Sequence, residues 1–144
     1  MLTQLRRYAA HLSFFPPLVI RLIMGFIFFQ SGLGKLRHLS NVVEFFTSLG
    51  IPFPQLQAPF VAGVEFLGGL CLLVGLGTRY VSVPLACTMI VALLTAKKDA
   101  LASFSTLTET SEFLYLLLLL ALTGLGSGMV SLDHLFCRRK DPIT

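Results

Sequence analysis

Seven acidic and eleven basic side chains are all the fixed charge in this sequence, and several of them fall inside apolar runs. Glu65 stands in AGVEFLGGLCLLVGL, while Arg21 and Lys35 bracket RLIMGFIFFQSGLGKL, which also carries Gln30. A carboxyl group in such a run can accept a hydrogen bond, carry a proton or form half of an ion pair. An ammonium group at the same depth is the counter-charge that makes its burial affordable. At about 1.5 Å of rise per residue, Glu65 lies roughly 10 Å below the outer end of its helix. The same count brings Gln30 near that level and puts Lys35 and Glu112 at the outer mouth. The expected polar cluster is therefore Glu65, Lys35, Glu112 and Gln30, with Lys35 as the counter-charge and Glu65 as the best candidate for a catalytic group. Gln30 points nearly opposite Lys35 around its helix and is the weakest member. Arg21 lies close to the inner boundary, and its expected partner is Asp133, beyond the last apolar run.

These residues need helices that cross a membrane to hold them. The chain has 144 residues, is 55% hydrophobic and 12% charged, and has a mean hydropathy of +0.83; soluble domains carry roughly 25% charged residues. A hydrocarbon core of about 30 Å takes roughly 20 apolar residues per helix, and four windows qualify: 17–34, 58–76, 80–96 and 111–126. The expectation is one all-α integral membrane domain over residues 1–144. It is an antiparallel four-helix transmembrane bundle with a short interfacial helix, about 41–49, between the first two spans. The first run, broken by Arg21 and followed by no small-x-small site, reads as a retained helix and not a signal peptide.

Local signals fill in the connections. Asn41 followed by Glu44 suggests a helix N-terminus, Gly50 a C-terminal stop, and IPFP an extended stretch, because residues before proline avoid the right-handed helical region. LGTRY is short enough to force an antiparallel hairpin. Gly25 and Gly32 share a face with Arg21 and Lys35, and Gly68 and Gly69 share one with Glu65. Small residues on such faces let helices approach closely in lipid.

Several functions are disfavoured. The net charge of +4 comes from short clusters at span ends, and no nucleic-acid motif accompanies it. Arg6, Arg7, Arg79, Arg138, Arg139 and Lys140 fall on one side, against Lys35, Arg37, Lys97 and Lys98 on the other, so both termini are expected in the cytoplasm. His11, His38 and His134 are scattered at the ends, so neither a metal site nor a covalent cofactor is expected. Cys71, Cys87 and Cys137 form no CxxC pair of the kind a thiol relay uses.

The blocks RLIMGFIFFQSGLGKL, GIPFPQLQAPFVAGVEFLGGLCLLVGLGTR, TMIVALL, EFLYLLLLLAL and GSGMVSLDHL follow one another in an order that resembles the DoxX family of small bacterial inner-membrane proteins, over about residues 18 to 136. Arg21, Gly32, Lys35, Pro52, Glu65, Gly68, Gly69, Thr78, Arg79, Glu112 and Asp133 match the family pattern. The resemblance implies a four-helix bundle in the bacterial inner membrane, associated with redox or sulfur metabolism or with complexes used against oxidative stress. The expected role is a quinone- or lipid-linked accessory subunit of a membrane oxidoreductase, with quinone as its cofactor, a membrane or peripheral redox protein as its partner, and self-association as a further expectation. The alternative is a non-enzymatic scaffold or assembly factor whose glycine faces dock partner helices.

Overall fold

The computed structural model describes residues 15–98, 101 and 103–125. Among them the chain is entirely helical, with no strand. The helices are α1 (Phe15–Arg37), α2 (Leu39–Ser48), α3 (Pro54–Val74), α4 (Thr78–Thr95), α5 (Phe104–Thr108) and α6 (Ser111–Leu125). Helices α1, α3 and α4 are long and apolar enough to cross a membrane. Helix α6 is apolar over 15 residues.

Helices α1 and α3 pack along most of their length, and α4 packs on α6 in the same way. In the first pair glycine sets the separation. A β-carbon on Gly32 would lie 2.2 Å from the Phe66 backbone nitrogen, one on Gly69 would lie 2.3 Å from that of Phe29, and one on Gly25 would lie 2.9 Å from that of Leu73. As the position on α1 rises its partner on α3 falls, so the helices are antiparallel and their backbones touch. The Phe29 and Phe66 rings pack beside this seam, with centroids 5.1 Å apart. Gly68 faces another neighbour, the Leu85 side chain of α4. Met24 and Phe28 of α1, Leu72 of α3, Leu85, Ala86 and Met89 of α4, and Leu119 and Leu122 of α6 form one buried core. Arg79 Nη2 donates to the Gly124 carbonyl at 3.3 Å, tying the start of α4 to the end of α6.

The connections differ from expectation in detail. Helix α2 begins at Leu39, two residues before Asn41, with His38 as its N-cap and no side-chain cap. The His38 carbonyl accepts from Val42 N, so Asn41 already lies inside the first turn. At its other end Gly50 has φ +70°, and the Gly50 and Ile51 N–H groups donate to Thr47 O and Phe46 O. This is the paired-bond helix stop that favours glycine. Phe53 is not extended: it is left-handed, at φ 51° and ψ 53°. The proline after it disfavours the right-handed helical region, and Gln57 Nε2 donates back to the Pro52 carbonyl at 2.7 Å to hold the corner. Gly75 and Gly77, both at positive φ, make the α3–α4 hairpin.

The glycine seam sets a stability order. Gly32→Ala must push two backbones apart and is expected to cost about 3 kcal/mol, the upper part of the usual overpacking range. Gly63→Ala, where a β-carbon would meet nothing within 4 Å, should be neutral or slightly stabilising. Unfolding in mixed detergent micelles measures both.

Candidate functional site

Glu65 points from the middle of α3 towards α1 and is 1% exposed. Its two oxygens have separate partners. Lys35 Nζ donates to Oε1 in a salt bridge, and Ser31 Oγ donates to Oε2 at 2.8 Å. Ser31 and Lys35 are four residues apart and therefore share a face of α1. The contact is possible because Gly32 lets α1 settle on α3 at that level. The Lys35 side chain is 30% exposed, so its stem runs along the bundle wall while its ammonium group reaches inward.

The pair forms part of the wall of a cavity of about 1190 Å³. Helix α2 contributes Val42, Phe45, Phe46 and Leu49 to the wall of this space. Phe60, Val61 and Val64 line it from α3, and Val83, Cys87, Met89, Val91 and Ala92 from α4. Glu112 and Tyr115 of α6 complete it. The Tyr115 ring sits edge-on to Phe28, with centroids 6.3 Å apart. The lining is thus mainly apolar and aromatic, with an ammonium, a hydroxyl and a carboxylate held together at one side. Such a space suits a flat or chain-like apolar molecule carrying one or two hydrogen-bonding groups.

The sequence-derived candidates separate in space. Lys35 and Glu65 meet. Glu112 lines the same cavity, and its carboxylate accepts from the neighbouring Ser111 Oγ at 3.2 Å. Gln30 is exposed on another face of α1 and does not line the cavity. Arg21 is buried, at 3% exposure, in the N-terminal half of α1; Asp133 lies outside the described residues. Gly25, Gly32 and Gly69 lie in the α1–α3 seam, and Gly68 lies against Leu85. Sequence reasoning missed Ser31 and Tyr115. Ser31 carried a usable signal, because it lies one helical turn before Lys35 on the face already singled out.

Comparison with known proteins places this arrangement among relatives. The model of the DoxX family matches residues 17–98, a stretch that contains α1 to α4 and with them Ser31, Lys35 and Glu65. The chain is 40% identical over 120 residues, 81% of its length and 83% of the relative's, to the Bacillus subtilis (strain 168) protein named "Putative oxidoreductase CatD". It is 31% identical over 128 residues, 85% of its length and 92% of the relative's, to the inner membrane protein YqjF of Escherichia coli (strain K12). No solved structure matches the chain.

Burial makes the ion pair asymmetric under mutation. Lys35→Met strands a carboxylate that only Ser31 then serves, and should cost about 3–5 kcal/mol, as loss of one partner of a buried pair does. In Lys35→Met/Glu65→Gln the charge is gone and most of that loss should return. A double-mutant cycle on unfolding free energy checks this, and additive effects of the two substitutions would contradict it.

Proposed function

The chain belongs to the DoxX family, and from that premise we propose that it is a multi-pass inner-membrane protein serving as a quinone-linked accessory subunit of a membrane oxidoreductase. In this reading α1, α3, α4 and α6 all cross the bilayer, α2 lies at the outer interface, and both termini are cytoplasmic. The inner-membrane assignment draws on the name of the Escherichia coli relative and the oxidoreductase link on that of the Bacillus subtilis relative. The electrons come from a redox partner protein in or on the membrane.

The observation that carries the proposal is the Ser31–Glu65–Lys35 cluster set in the wall of a large, mainly apolar cavity. A bound quinone supplies two-electron, two-proton chemistry at its carbonyl oxygens, and the residues present fit it. Lys35 donates a hydrogen bond to a carbonyl. Glu65 holds or passes a proton beside it, and proton transfer by a positioned carboxyl group is an ordinary catalytic role. Ser31 fixes which Glu65 oxygen faces the cavity. Phe60, Phe45 and the α4 wall keep water away from the group being protonated. A scaffold built on the same glycines would need their faces open to partners, yet Gly25, Gly32, Gly68 and Gly69 all meet this chain's own helices.

Equilibrium binding of decyl-ubiquinone to the protein in lipid nanodiscs tests the reading. Glu65→Gln should weaken binding at least tenfold, about 1.4 kcal/mol, and Ser31→Ala by about fivefold, with expression and helical content retained. Unchanged binding in Glu65→Gln would remove the carboxyl from the site.

A further inference from the structure

The cavity has a polar corner and a broad apolar wall. Ser31 and Lys35 project from α1, Glu65 from α3 and Tyr115 from α6, whereas Phe60, Val61 and Val64 of α3 and Val83, Val91 and Ala92 of α4 turn apolar surface to the same space. Those two helices are joined by the tight Gly75–Gly77 hairpin and are in close contact where Gly68 meets Leu85. Beyond that point, towards the outer end, they contribute facing walls of the cavity. Pro84, which lacks an N–H to continue the helical ladder, sits one residue before Leu85 and lines the cavity itself. Counting outwards from Gly68 and Leu85 in an antiparallel pair puts Cys87 at about the level of Glu65 and Val91 at about that of Phe60.

The residues on these walls are also open to the outside of the protein. Phe60 is 69% exposed and Val91 46%, Cys87 is exposed as well, and all three line the cavity. A residue that both lines a cavity and lies on the apolar surface marks an opening, and at this depth the surface faces acyl chains. A water-soluble ligand would need no such side, and an isoprenoid chain needs just such a one.

Resting on the quinone reading above, we infer that the ligand reaches Glu65 sideways, out of the bilayer through the gap between the outer halves of α3 and α4. The head group turns towards Ser31, Lys35 and Tyr115, and the isoprenoid tail stays in the gap between Phe60 and Val91, extending into the lipid. Cys87 lies in the same gap, against the first part of the tail. The competing route is the mouth under α2, where Phe45 also lines the cavity and is exposed.

Photo-crosslinking in nanodiscs tests the route. The probe is decyl-ubiquinone with a diazirine at the end of its alkyl tail, competed with excess unlabelled decyl-ubiquinone, and adducts are mapped by mass spectrometry. Adducts that competition lowers at least fivefold should fall on α3 around Phe60 and on α4 around Val91. Val91→Trp, which fills the gap from an exposed position, should reduce them by a similar factor. Competable adducts concentrated on α2 and Lys97 instead would overturn the lateral route and leave the quinone reading standing. If no adduct anywhere is competed, both fail.

Discussion

A carboxylate at 1% exposure in a membrane helix must find its hydrogen-bond donors within the protein, and the rest of this structure follows from how Glu65 does so. Desolvating an ion pair is repaid only when geometry is good and the remaining lone pairs are satisfied. Lys35 and Ser31 meet that demand from one face of α1. They do so only because the α1 and α3 backbones are in contact, which requires no side chain at Gly25, Gly32 and Gly69. The glycine seam and the polar cluster are thus one device. The first sets the distance at which the second can form, and the second gives the seam its register.

The same arrangement leaves space elsewhere. Because α1 and α3 are drawn together and α4 pairs with α6, the two pairs meet each other less closely, and the cavity lies between them. A polar cluster meant only to lock two helices would be sealed on every side. Here the cluster is part of the wall of an open, mainly apolar space.

How much of this could be read from residues alone varies with the physics involved. The Lys35–Glu65 pairing was legible from charge, since a buried carboxylate needs a counter-charge, whereas counting depth along each span put Gln30 closer to the level of Glu65 than Lys35. The glycines that make the seam were legible from their spacing, and the separation of Gln30 from Lys35 from its angle around the helix. Ser31 was not singled out, since a hydroxyl in a helix often bonds a carbonyl of its own preceding turn, as Ser82 does with Thr78 at 2.7 Å. The part α4 plays in the cavity wall was illegible, because it depends on how α3 and α4 each pack against third helices. Phe53 shows another limit: proline restricts its predecessor without choosing between extended and left-handed backbone, and here the corner closed by Gln57 is left-handed.

The central claim is that the Ser31–Glu65–Lys35 cluster holds a quinone in the native membrane. Native mass spectrometry of the protein extracted in nanodiscs from its own membranes addresses it most directly, comparing the wild-type chain with Lys35→Met/Glu65→Gln, whose helices remain packed. The account predicts one polyprenyl quinone per wild-type chain and none on the double variant. A wild-type chain that carries no quinone, or a quinone retained equally by both, would contradict it.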